Sequence, residues 1–508
     1  MDDRTKIIPP DSGAAAAPAA PTQPQHGLDS ATINRIIIGL MVAMFLSALD
    51  QTIVATALPA IGRELNDIRN LSWVVTAYLL AATTVTPLYG KLSDIHGRRM
   101  MVLTGVCVFM LGSLACALST SMTALIFSRA LQGLGGGGLI ALTQTVLADL
   151  VSPRERARYQ AHFGVVFASA SLAGPFLGGV LSEHLHWSAI FWINLPIGIV
   201  ALAMTTRALR LLPKVHRPHR LDVLGAALMA GATVTLLFAL SWGGKVYAWT
   251  SLPVLALVGG SIVLWIGFAA RLATAAEPFL PLSVLGNPVV RDGALSAALS
   301  MGTMVGLSIY VPVYLQAVVG LSASASGLAL IPLMGGTVTG ATFSGHIMPR
   351  LTHYKRVPYV GLGGGIVALL ALALGTVAVP LPVTLILLAV TGIGIGTTFP
   401  VTTVSVQNAV RPFELGTTTA TLNFFRQLGG ALIVAIFGAI MLHGAGFAGG
   451  EGAAADLLAR AGAQPELSHA FAWLFAAGVV GLIASYAFLL HMEERPLRDR
   501  PLSENPVE

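Results

Sequence analysis

Apolar runs of about 20 residues recur along the whole chain, and no other feature constrains its folding as strongly. A helix of that length rises about 30 Å, the thickness of the hydrocarbon core of a bilayer. A soluble domain would need charge to cover its surface, typically about 25% of its residues. Here 10% of 508 residues are charged and 55% are hydrophobic. The chain is therefore expected to be an all-α polytopic membrane protein, with its core between helices and lipid outside.

Spans are expected near 34–58, 71–90, 100–118, 123–148, 158–182, 189–208, 221–241, 252–270, 292–316, 325–348, 358–379, 382–405, 414–442 and 469–490, fourteen in all. The pair at 221–241 and 252–270 lies between two blocks of six. This divides the chain into a cytoplasmic tail (1–32), a six-helix bundle (33–210), two extra transmembrane helices with their linkers (211–290), a second six-helix bundle (291–491) and a tail (492–508). The first tail, with "SGAAAAPAAPTQPQ", has the composition of a disordered segment and lacks the apolar stretch of a cleaved signal.

Basic residues cluster on alternate connections. Lys91, Arg98 and Arg99 follow span 2, and Arg154, Arg156 and Arg158 follow span 4. Arg207, Arg210, Lys214, Arg217 and Arg220 follow span 6; Arg350, Lys355 and Arg356 follow span 10; Arg495, Arg498 and Arg500 follow span 14. The other connections are poor in them, apart from Arg63, Arg69, Lys245 and Arg460. The positive-inside rule then puts both termini in the cytoplasm, in a multi-pass protein of the inner (cytoplasmic) membrane. The net charge of +6 is a topology signal and not a nucleic-acid footprint, because no basic stretch is interleaved with stacking aromatics. Cys107 and Cys116 share one span, roughly 13–14 Å apart along its axis, too far to form a disulfide. No metal-ligand spacing, phosphate loop or nucleophile–base pair is present, which argues against an enzyme and a resident cofactor. His184 and His186 in "EHLHW" read as loop histidines.

Four stretches carry chemistry. "FLSALDQTIVATALP", from Phe45, places Asp50 deep in the first span, roughly 24 Å from Arg35 along a helix. An intramembrane carboxylate either couples to protons and cargo or binds a neighbouring helix. "FSRALQGLGGGG", from Phe127, puts Arg129 inside span 4, facing the interior or snorkelling to the surface, ahead of Gly133 and Gly135–Gly138, which favour close contact or bending. "GKLSDIHGRRM" sets Gly90, Asp94, Gly97, Arg98 and Arg99 at the end of span 2: glycine for close approach, Asp94 as an acceptor, the arginines as anchors at the surface. It has a faint echo in "GHIMPRLTHYKR", where Gly345 matches Gly90 and Pro349 falls at the place of Asp94, as internal duplication would leave it. "ASLAGPFLGGVL" puts Gly174, Pro175, Gly178 and Gly179 in mid-membrane, either as a kink or as a helix–helix contact that seals the bundle.

In the second half, "NFFRQLGG" places Arg426 within span 13, with Asn423 on its face and Gln427 beside it, either lining a cavity or gluing helices. Trp73, Tyr78, Phe399, Phe424 and Phe425 are either walls of an apolar pocket or lipid-facing aromatics. No carboxylate lies deep in a span between Arg291 and Pro412, so proton coupling would rest on the first half.

These stretches resemble the major facilitator superfamily, and in particular its fourteen-helix drug:proton antiporter branch. "LDQTIVATALP" is similar to that branch's first-helix signature, except that Ala55 stands where asparagine is common; "GKLSDIHGRR", "RALQGLGGG" and "GPFLGG" resemble the superfamily's loop, fourth-helix and fifth-helix motifs. "HWSAIFWINLPIG" resembles the span 5–6 junction, with His186 at a usually basic position. The likeness covers about residues 33–490. It implies a central cavity between two six-helix bundles that opens alternately to either side, with the extra pair peripheral. It implies that Asp50 couples protonation to cargo and that the proton gradient is the driving force; Arg129, the other proton-coupling candidate, could tune Asp50 through a nearby positive charge. The substrate-cavity candidates are Asp50, Tyr78, Phe399, Asn423, Phe424, Arg426 and Gln427. The expected function is proton-driven export of lipophilic, cationic compounds, with small molecules, protons and lipid as partners. A periplasmic adaptor would join them in a double-membraned cell. The alternatives are export of an endogenous metabolite or lipid-like product, and a sensor that kept the fold without transport.

Overall fold

Among the described residues of the computed structural model, thirteen helices are long and apolar enough to cross a bilayer. The structure describes residues 30–67, 70–209, 221–244, 246–375, 379–444 and 465–497. The two tails, apart from 30–32 and 492–497, and Arg69, Arg210, Lys214, Arg217, Arg220, Lys245, Arg460, Arg498 and Arg500 therefore lie outside the described residues.

The chain opens with α1 (Ser30–Glu64), α2 (Leu71–His96) and α3 (Arg98–Ala117). The fourth crossing is α4 (Met122–Gly136) and α5 (Leu139–Leu150), then come α6 (Pro153–His184), the short α7 (Ala189–Trp192) and α8 (Asn194–Ala208). The extra pair is α9 (Val223–Trp242) and α10 (Leu252–Thr274). After α11 (Leu282–Leu285), the second half comprises α12 (Pro288–Ala317), α13 (Ala323–Leu328), α14 (Ile331–Ile347), α15 (Arg356–Leu374), α16 (Leu381–Asn408), α17 (Leu415–Gly444) and α18 (Pro465–His491). Among the described residues, α2 is the crossing that composition alone does not reveal. At 26 residues it is long enough, but its threonines and the polar end Lys91–His96 dilute its hydropathy. With it the thirteen spans become fourteen crossings.

Local chemistry explains the departures from the expected boundaries. The cluster Arg154, Arg156 and Arg158, expected in a connection, forms the first turns of α6. Ser152 caps the backbone of Glu155 while the Glu155 carboxylate reaches back to Ser152, and Pro153 occupies the first turn, so the helix starts early. The glycine run after Arg129 both bends and packs: α4 ends at Gly136 and α5 starts at Leu139. A Cβ on Gly133 or Gly137 would strike the α2 backbone at Tyr78 or Ala82.

The seam between the halves is built from the second and fifth crossings of each. α2 packs along α17, and α6 packs along α14. The extra pair is joined by close packing of α9 on α10 and touches α2 and α17 at the edge of that seam. Most of α10 faces outward: Leu255, Ile262, Val263 and Ile266 are all exposed.

Candidate functional site

Asp50 lies on α1 with none of its surface exposed, and Arg129 on α4 is equally sealed at 1%. The Asp50 Oδ2 accepts from Arg129 Nη1 at 2.6 Å. Its Oδ1 accepts from Gln132 Nε2 at 2.9 Å and from Asn194 Nδ2 at 3.0 Å. Arg129 is itself held on several sides. Its Nη1 donates to Gln132 Oε1 at 2.6 Å, its Nε to the Val74 carbonyl of α2 at 3.0 Å, and its guanidinium lies 4.4 Å from the centre of the Tyr78 ring. Asn194 Nδ2 also donates to Ser113 Oγ at 3.0 Å, while the buried Asn194 Oδ1 has no partner among the described residues. A buried ion pair is retained only when further hydrogen bonds satisfy its remaining atoms, and here the carboxylate has donors on both oxygens. In this structure the group is inside the first half, away from the second half and from water. Arg129 does not snorkel.

At the basic end of the bundle a second cluster joins the halves. Asp94 accepts from the backbone N–H of Gly416 at 3.1 Å, from that of Thr417 at 2.8 Å, and from Thr417 Oγ1 at 2.7 Å. These are the first, otherwise unpaired amides of α17, where the helix dipole favours a negative charge. Arg98 Nη1 donates to Asp94 at 2.5 Å and its Nε to Asp149 at 2.8 Å. Arg98 is thus turned inward onto two carboxylates and does not anchor the loop at the surface as the sequence reading expects. Arg99 makes no ion pair or hydrogen bond among the described residues, and its Nε is buried without a partner there. Gly90 lets α17 approach, since a Cβ there would collide with Ala420 and the Gly416 carbonyl. Gly97 serves the backbone instead. It takes φ +89° at the α2–α3 turn, and nothing lies near its missing Cβ. Deeper in the same seam, Arg156 Nη1 donates to Gln407 Oε1 at 3.1 Å, Asn423 Nδ2 to Gln144 Oε1 at 2.8 Å, and Gln427 Nε2 to Thr86 Oγ1 at 3.2 Å.

The glycine motif of α6 faces α1, within the first half. A Cβ on Gly174 would fall on Thr52, and one on Gly178 on Thr56 and the Ile53 carbonyl. The close approach expected at Gly179 does not exist, for nothing lies within 4 Å of its Cβ position. The side chain of Pro175 is outside the described residues.

The cavity candidates do not form one group. Phe399 and Arg426 are together, with the guanidinium 5.5 Å from the ring centre. Asn423 and Gln427 bridge from α17 to α5 and α2. Phe424 turns toward the extra pair, its ring 6.4 Å from that of Trp265, and Trp73 packs on Phe238 at 5.2 Å. Tyr78 and Asp50 are inside the first half. Sequence reasoning misses Gln132, Asn194, Gln144, Gln407 and Thr417. Their common signal is an uncharged polar side chain in or at the end of an apolar helix. Arg156 reads in the sequence only as a topology charge, although it is fully buried.

Paired charge is thus sealed within one half, and the two halves of a multi-pass membrane protein are latched across a seam of helices. The chain belongs to the Major Facilitator Superfamily, whose family model matches residues 40–434. It is 36% identical to the multidrug transporter protein MdtP of Bacillus subtilis (strain 168) over 409 residues, 80% of this chain and 75% of that one. It is 32% identical over 413 residues to multidrug resistance protein 3 of the same organism, covering 81% and 80% of the two chains. Among solved structures, the human organic anion transporter MFSD10 (TETRAN) superposes with a TM-score of 0.62 at 18% identity, over 89% of this chain and 99% of that one.

Proposed function

We propose that the protein is a proton-coupled antiporter that exports lipophilic compounds across the cytoplasmic membrane by alternating access, with both termini and the latched basic end on the cytoplasmic side. The names of its relatives support drug efflux, and the basic end supports the orientation. The observation that carries the coupling is the sealed Asp50–Arg129–Gln132–Asn194 network.

Protonation of Asp50 removes the counter-ion of a buried guanidinium. Breaking a buried pair in this way costs about 3–5 kcal/mol, so the two protonation states favour different packings of α4. The unpartnered Asn194 Oδ1 gives the protonated state an acceptor: a turn of the amide brings it toward the new hydroxyl. The signal has a mechanical path. Arg129 holds the Val74 carbonyl of α2, and the same helix carries Asp94 roughly 30 Å away along its axis. A shift of α4 therefore pulls on the helix that latches α17. Proton release to the cytoplasm and reloading from outside would drive export.

The cationic cargo expected from the sequence has weak physical support, because the carboxylate of the first span has a guanidinium at 2.6 Å. The test uses inside-out proteoliposomes with an acidic lumen and a fluorescent lipophilic dye. The expected outcome is dye accumulation that collapses when a protonophore dissipates the gradient. Accumulation unaffected by the protonophore would contradict proton coupling.

A further inference from the structure

Arg426 is a guanidinium near the middle of a span with no carboxylate beside it among the described residues. It lies 11 residues into α17, roughly 17 Å from its start and so near mid-membrane. Only 8% of its surface is exposed. Among the described residues its hydrogen bonds leave from Nη2, to Thr403 Oγ1 at 2.8 Å, Thr402 Oγ1 at 3.2 Å and the Phe399 carbonyl at 3.3 Å. These acceptors are neutral. The two hydroxyls donate their own protons to backbone carbonyls of α16, Thr402 to Thr398 at 2.8 Å and Thr403 to Phe399 at 2.7 Å. They can therefore only accept from Arg426, which fixes the fork in place. Its Nε is buried with no acceptor among the described residues.

An unpaired buried cation is strongly unfavourable, and intramembrane charges without a partner mark cargo or ion paths. The other deep arginine shows the difference, because Arg129 is neutralised by Asp50. Those two guanidiniums thus face one carboxylate, a surplus of one positive charge. We propose that Arg426 is the receptor for an acidic group on the cargo: a carboxylate or comparable anion docks on Nη1, from which no hydrogen bond leaves among the described residues, with the Phe399 ring against the lipophilic body. A hydrogen bond from Nη1 to a carboxylate oxygen would be charge-assisted and would supply the counter-ion this guanidinium lacks. Access opens when the neighbouring Gln427 parts from Thr83 and Thr86 across the seam. This inference rests on the export reading in taking the seam between the halves as the cargo path.

The experiment measures equilibrium binding to detergent-solubilised protein of three probes with the same ring system: naphthoate, naphthamide and a naphthyl trimethylammonium. Wild type should bind naphthoate at least about tenfold more tightly than the other two, since a charge-assisted pair contributes about 1.5–3 kcal/mol. R426M should lose that preference while its naphthamide affinity stays within about twofold. R426K, which keeps the charge and loses the fork, should fall between them, and it decides the matter if R426M does not assemble. Equal affinity for naphthoate and naphthamide in wild type, or equal loss of both in the variants, would overturn the proposal and leave Arg426 as helix glue. Binding is read without a gradient. A failure of proton-driven accumulation would therefore count against the export reading and not against this one.

Discussion

Gly174 and Gly179 stand five residues apart on α6 and have opposite surroundings. A side chain at the first meets Thr52 and the Ile53 amide of α1, and a side chain at the second meets nothing within 4 Å. Gly174→Val should therefore destabilise the first half by about 1–3 kcal/mol through overpacking, lowering the melting temperature and slowing transport. Gly179→Val should leave both near wild type. Equal behaviour of the two variants would show that α1 and α6 do not meet as described. The same neighbourhood shows how far single residues are legible. Asp50 and Arg129 are conspicuous because charge in an apolar helix is rare, but their pairing needs the geometry of several helices. Gln132 and Asn194 escape notice because an amide in a membrane helix raises no alarm by itself, although it satisfies the last lone pairs of a buried carboxylate. Arg156 misleads in the other direction. Its basic neighbours give it the look of a surface charge, yet it is fully buried and donates to Gln407.

At the scale of elements, α17 has its first amides capped by a residue from the other half of the molecule. Asp94 on α2 supplies a carboxylate to Gly416 and Thr417, whereas α6, the counterpart of α17, is capped by its own Ser152 and Glu155. Pro349, at the place of Asp94 in the second half, has no carboxylate to offer. The latch is therefore one-sided. Asp94→Ala should shift the equilibrium toward a parted basic end by about tenfold, the effect of roughly 1.4 kcal/mol from a charge at a helix N-terminus and its hydrogen bonds. Spin labels at His96 and Phe413, with Cys107 and Cys116 replaced, would report it as growth of a longer-distance population. An unchanged distance distribution would show that Asp94 does not hold the halves together. Most helices are legible from apolar length alone. The start of α6 is not, because a capping box in a basic stretch looks like a loop until the cap is seen.

For the whole molecule, the number of crossings and the peripheral extra pair follow from the spacing of apolar runs and the family resemblance. Which faces meet does not. Reciprocal pairing of α2 with α17 and of α6 with α14 depends on small residues such as Gly90, whose partner Ala420 lies hundreds of residues away. Arg129 holds α2 and α2 latches α17, so in the proposed cycle a proton at Asp50 would loosen the latch through Arg129. On the proposed function, Asp50 carries the coupling and does not carry the cargo. The direct measurement compares Asp50→Asn with wild type in inside-out proteoliposomes, reading gradient-driven dye accumulation and gradient-free dye exchange side by side. The amide cannot take up or release the proton, and Asp50 is sealed away from the seam. Accumulation should thus fall to the level reached without a gradient, while exchange persists within a few-fold. Wild-type accumulation by Asp50→Asn would contradict the account.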